Sequence, residues 1–102
     1  MSRWRGTIAP PITSVAATPA TLVRANPRRC RLILGIPSGV TFSIDTNEPG
    51  SFVNGLSWSN LQAPLILDEE DFGDIVERAL AYQCSGAITF RVLEVFDTER
   101  KV

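Results

Sequence analysis

The chain has 102 residues, 44% of them hydrophobic and 21% charged, with a formal net charge of −1. That length fits one domain with a core large enough to fold without metal or disulfide staples, and the composition excludes wholesale disorder. With no histidine and two cysteines, the usual zinc ligand sets and the commonest general base are missing, so no metal or cofactor is expected. No apolar run approaches the roughly 18 residues of a membrane span, and Met1 to Pro11 lacks the apolar core of a secretory signal. The expectation is synthesis in the cytoplasm and no membrane partner. Charge is distributed unevenly, because six arginines and no acid precede residue 45, while all eleven carboxylates lie at Asp45 or later. Such a split suits contacts between copies or with a neighbour of mixed charge. It is equally consistent with charges scattered over a solvated surface, since sequence halves need not be spatial halves.

Residues 1–19 hold Pro10, Pro11 and Pro19 among small and β-branched residues, a composition that favours extended backbone with few ladder hydrogen bonds. They read as an N-terminal arm in front of a β domain at 20–102. Thr21 to Ala25 is a short strand, and Asn26-Pro27 a corner, because a residue before proline is pushed out of the helical region. From Arg29 to Ile36 the chain alternates cleanly, with Cys30, Leu32, Leu34 and Ile36 on one face and Arg29, Arg31, Ile33 and Gly35 on the other. Pro37-Ser38-Gly39 is a turn into Val40, Phe42 and Ile44, which predicts a hairpin. Residues 46–63 are rich in Asn and Gly with scattered Phe52, Leu56, Trp58 and Leu61, and read as a long, partly anchored loop of the kind that carries function.

Leu65 to Leu67 offers another short strand. In Asp68 to Gln83, Phe72, Ile75, Val76, Ala79 and Leu80 follow the helical period with acids in the first turn. Against a helix stand Gly73 and the equally good alternation of Leu80, Tyr82 and Cys84 into Ser85-Gly86. Periodicity alone leaves both open. Ala87 to Phe96 is β-branched and aromatic and reads as one long strand, forming a second hairpin with 80–84.

The segments TLVRANPRRCRLILGIPSGVTFSID and FGDIVERALAYQCSGAITFRVLEV resemble the β-sandwich members of a family of small virion proteins of tailed bacteriophages, of the head-decoration, cement or head-fibre kind. The first is similar in its strand, Asn-Pro-Arg corner, strand, small-residue turn and strand. The second is similar in a closing hairpin that ends in Val-Leu-Glu-Val. Together they cover about half of the chain. The resemblance implies that Leu80 to Cys84 is a strand, with at most a helical turn near Glu69 to Gly73. It also implies a chain that oligomerises, often as a trimer, and decorates the outer surface of a capsid, so that the major capsid protein is the partner and the virion the location.

Cys30 and Cys84, with Tyr82 two positions before the second, resemble the disulfide and tyrosine corner of immunoglobulin domains. Trp58 stands too far from Cys30 for that pattern and the compartment is reducing, which favours two buried thiols over a disulfide. The acidic run from Asp68 resembles a calcium loop through Gly73. However, Phe72 and Ala79 fall where oxygen ligands are required, so a solvated acidic loop or a contact with arginines of a neighbour is the better reading. The arginines around Trp4 and Pro27 suit phosphate contact, but a pI near 5.3 is a poor footprint for nucleic acid, and none is expected. No nucleophile elbow, P-loop or dinucleotide fingerprint occurs, and the carboxylates crowd one loop, so the chain is not expected to be an enzyme.

The expected fold is all-β, a single-domain, jelly-roll-like β-sandwich with an extended arm. The expected function is capsid decoration by multivalent protein contacts. A head-fibre or tail-attachment module is an alternative, as is a carbohydrate-binding module using Trp58. The candidate contact residues are Arg3, Trp4 and Arg5 in the arm, Arg28 and Arg29 at the corner, Phe52 and Trp58 in the long loop, and Asp68, Glu69, Glu70 and Asp71. Leu32, Leu34, Phe42, Ile44, Ile88, Phe90 and Val92 are the expected core.

Overall fold

A computed structural model describes residues 4–53 and 55–99. In chain order the strands are Trp4–Ile8 (β1), Ile12–Thr13 (β2), Ala20–Val23 (β3), Arg29–Leu34 (β4) and Thr41–Asp45 (β5). They continue with Leu56–Ser59 (β6), Leu65–Asp68 (β7), Leu80–Cys84 (β8), Thr89–Phe90 (β9) and Val92–Asp97 (β10). One helical turn, Glu69–Phe72 (α1), runs into a 3-10 turn at Gly73–Glu77. The strands form two four-stranded sheets, ordered β1-β10-β4-β7 and β3-β8-β5-β6, and a short pair β2-β9, antiparallel throughout. The fold is all-β, and one core cluster drawn from both large sheets makes it a single domain.

The inward positions of the alternating strands supply that core. Leu32, Leu34, Phe42 and Val92 are fully buried beside Ile44, Leu67, Leu80 and Phe90, and Ile88 packs half-buried against them. Cys30 and Cys84 are both buried and not joined in a disulfide. The outer side of β5 and β6 is polar, and its hydroxyls pair across the strands, Ser43 with Ser57 at 2.7 Å and Thr41 with Ser59 at 2.9 Å.

Neither predicted hairpin forms. β4 lies in one sheet and β5 in the other, so Pro37-Ser38-Gly39 carries the chain across the sandwich, and the 85–91 connection does the same between β8 and β10. Among the described residues, β5 and β6 are the one pair of consecutive strands bonded to each other. Alternation reports which residues face inward, and it is silent on which sheet a strand joins. The long loop is thus a hairpin arm, with a 3-10 turn at Pro49–Ser51 and β6 inside it. The last strand is broken at Arg91 into β9 and β10. The arm is extended, but its described part is not separate from the sandwich, since β1 is an edge strand on β10 and β2 pairs with β9.

The 68–83 ambiguity resolves into a turn followed by a strand. Asp68 caps α1, its carboxylate accepting from the Asp71 N–H at 3.0 Å, and Gly73 then leaves the helical region at φ 59°. A residue with a Cβ is disfavoured there, so the helix stops after one turn. Val76, which would have been on a helix stripe, plugs the core with no exposure.

At the end of β5, the Asp45 carboxylate ties down residues 46–53. It accepts from the Val53 N–H at 2.8 Å, the Asn47 N–H at 3.2 Å and the Asn47 side-chain amide at 3.1 Å. The Val53 N–H, followed by the Asn47 donors, holds its pKa below the ordinary carboxylate value against the opposing effect of burial. A folded-state pKa below the unfolded one gives stability that is present above the unfolded value, near pH 4, and lost as pH falls through the folded value. Asp45→Asn should therefore lower Tm at neutral pH, and the gap to wild type should close on acidification; a gap independent of pH would contradict this role.

Candidate functional site

The outer face of the β1-β10-β4-β7 sheet brings together residues far apart in sequence. In register across the four strands, Ile8, Leu93, Ile33 and Ile66 form one row, and Gly6, Val95, Arg31 and Asp68 the next. The first row is an apolar band left partly open to water, with Ile8 62% and Ile66 48% exposed. Beyond the second row lies a cleft of about 340 Å³, lined by Trp4, Cys30, Arg31, Asp68, Glu69, Glu70 and Asp97. Trp4, 50% exposed, forms one wall, and the acidic start of α1 the other. An aromatic face, a guanidinium and several carboxylates in one concave surface can take up a partner's charged side chain and the apolar stem next to it.

Of the sequence candidates, Trp4, Asp68, Glu69 and Glu70 meet in this cleft, whereas Arg5 does not line it and by alternation turns to the other face of β1. Asp71 is exposed on α1, its N–H used by the Asp68 cap. Arg28 is exposed, and its guanidinium donates to the Thr98 carbonyl at 3.1 Å. Phe52 and Trp58 are half-buried, and Trp58 packs on the core, which makes it an anchor of the β5–β6 hairpin. Arg3 lies outside the described residues. Arg31, not among the candidates, is the cation that lines the cleft. Its signal in the sequence was its place opposite Leu32 and Leu34 in the alternation, on the face that proved open.

Arg29 is a correction. Its side chain is fully buried and has no surface to offer a partner. The register of β4 on β10 slips by one residue at Cys30, so that Arg29 is opposite Phe96 while Arg31 is opposite Val95. This bulge moves Arg29 onto the inward parity, where strict alternation would have turned it out. Its guanidinium donates to the carbonyls of Val76 (2.7 Å), Arg24 (2.8 Å) and Arg78 (2.7 Å) and to the Glu94 carboxylate (2.9 Å). Burial pulls the Arg29 pKa down, and Glu94 opposes that shift. The network fastens the C-terminal end of the 3-10 turn, at Val76 and Arg78, to the core, so this arginine builds the fold beneath the acidic turn.

A second, apolar pocket of about 170 Å³ lies between Ile44, Leu56, Ile75 and Leu80 at the other sheet. Its one carboxylate, Asp45, is committed to the 46–53 segment. Among the described residues, no group of three or more His, Cys, Asp or Glu side chains is placed to hold a metal ion, and no helix is long and apolar enough to cross a membrane. Comparison of the chain with protein-family models, curated proteins and solved structures found no match.

Proposed function

We propose that this chain is a structural virion protein that binds the outer surface of a tailed-phage capsid and reinforces it through many weak protein contacts. The observation that carries this reading is the open outer face of the β1-β10-β4-β7 sheet, where an apolar band adjoins the Trp4–Arg31–acidic cleft. Exposed aromatic and arginine side chains beside a patch of apolar surface are the usual make-up of a protein-binding surface. The winding adds support. Leaving out the short pair β2-β9, the eight strands pair first with last, second with seventh, third with sixth and fourth with fifth, which we read as a jelly roll, a double-sheet architecture common in capsid proteins. In this reading the protein is made in the host cytoplasm, assembles as a trimer, and docks on the major capsid protein. Linking several shallow contacts in one oligomer raises the effective concentration of each, so the shell joints resist separation.

The test is co-sedimentation of the purified chain with undecorated capsids of the phage that encodes it. Saturable binding and a raised capsid melting temperature are expected. Trp4→Ala and Arg31→Glu should each weaken binding by about tenfold or more without changing the chain's own Tm, since both side chains are exposed. Failure to pellet, together with absence of the chain from purified particles, would refute the proposal. A glycan array should stay blank, because Trp58 is spent on the core.

A further inference from the structure

The two outermost strands of the open sheet have complementary free edges, and we infer that a second copy of the chain adds to this sheet by pairing its β7 with β1. This deepens the oligomer reading above and rests on it. Among the described residues, no strand pairs with the outer side of β1 or of β7. Free strand edges are templates for pairing unless they are blocked; neither strand contains a proline, and their charges are Arg5 on β1 and Asp68 on β7.

The register follows from the ladder. The Ala9 N–H donates to the Val92 carbonyl at 2.9 Å, so along β1 the alternate residues Gly6 and Ile8 turn their peptide groups to the open edge. The Gly35 N–H donates to the Arg91 carbonyl at 3.2 Å, so Leu32 and Leu34 of β4 turn theirs to β7. They are opposite Leu67 and Leu65, which leaves the peptide groups of Ile66 and Asp68 on the outer edge. β1 and β7 run antiparallel to each other within the sheet, so a copy added beside the first continues the antiparallel order.

Setting Ile8 opposite Ile66 of the next copy, and Gly6 opposite Asp68 of that copy, matches outward peptide groups on both strands. It also joins the two exposed isoleucines on the same face, extending the apolar band across the joint. Arg5 then lies beside Glu69 of the next copy, at the acidic start of α1. A slip of two residues keeps the hydrogen bonding but sets Ile8 against Pro64, which has no N–H to give, and takes Arg5 away from Glu69. Charge and apolar matching therefore select one register. The joint uses different edges on its two sides, so it is head-to-tail and gives a ring when the rotation closes. The uneven charge of the sequence finds its use here, with an arginine of the first half meeting an acid of the second.

Sedimentation velocity on the full chain tests the joint. Wild type should associate beyond a dimer as concentration rises. Ile8→Pro removes an edge N–H without touching the ladder to β10, and should leave a folded monomer with an unchanged circular dichroism spectrum. Arg5→Glu and Glu69→Arg should each weaken association by about tenfold or more, and the two changes in one chain should restore it. A wild type that stays monomeric at every concentration overturns both this joint and the oligomer reading. An oligomer indifferent to Ile8→Pro and to the charge exchange overturns the joint alone.

Discussion

Replacing Arg29 by alanine is expected to cost about 3–5 kcal/mol of stability, the typical loss when one partner of a buried ion pair is removed. For a domain of this length that corresponds to a fall in Tm of more than about 12 °C. The change leaves Glu94, whose side chain is 21% exposed, without its cation. It also strips donors from the carbonyls of Val76, Arg24 and Arg78. Arg29→Lys should recover only part of the loss, because a point charge on a flexible stem cannot meet acceptors spread over three segments as a planar fork does. Arg29→Met combined with Glu94→Met should recover more than either single change, since it removes both charges instead of stranding one. Urea unfolding of the five variants, the two single methionine changes included, measures this, and hydrogen exchange should show the 73–78 turn opening first in Arg29→Ala. A loss below about 0.5 kcal/mol, the scale of an ordinary surface substitution, would mean that the network is dispensable.

Phe42→Ala should be of comparable severity, about 3–5 kcal/mol. Phe42 has no exposure and is in contact with two other rings, stacked on Tyr82 at 5.6 Å and edge-on to Phe90 at 5.5 Å, with Tyr82 and Phe90 themselves edge-on at 5.4 Å. The trio links β5 and β8 of one sheet to the short β2-β9 pair, so the vacated space lies where three elements meet and the neighbours cannot easily close it. Phe42→Leu keeps most of the volume and should lose less than half as much. Thermal melts followed by near-ultraviolet circular dichroism report both the loss of stability and the loss of the fixed environment of Tyr82. Equal losses for leucine and alanine would show that ring packing, not cavity volume, governs the site.

The inward faces of the strands were legible because they depend on period two alone. Leu32, Leu34, Phe42, Ile44, Phe90 and Val92 are buried as the alternation requires. The acidic turn was not legible in the local pattern, which left helix and strand open over 68–83; the aspartate cap and the glycine that end the helix after one turn are seen in the structure. Of the candidate contact residues, Trp4, Asp68, Glu69 and Glu70 share one cleft although more than sixty residues separate the first from the others. Arg31, between Cys30 and Leu32, cannot be told from the neighbouring arginines Arg28 and Arg29 in the sequence, because the strands beside it decide which of the three lines a cleft.

The sequence by itself determined the all-β class and the inward faces of the alternating strands, because each rests on neighbouring residues and backbone sterics. The tertiary structure alone decided which strands pair, that both expected hairpins are crossings between sheets, and that Arg29 turns inward at the Cys30 bulge. Those outcomes depend on contacts between segments distant along the chain, where closing the sandwich and satisfying a buried guanidinium outweigh local alternation. Strand pairing and a one-residue register slip leave no mark in the period of a single strand.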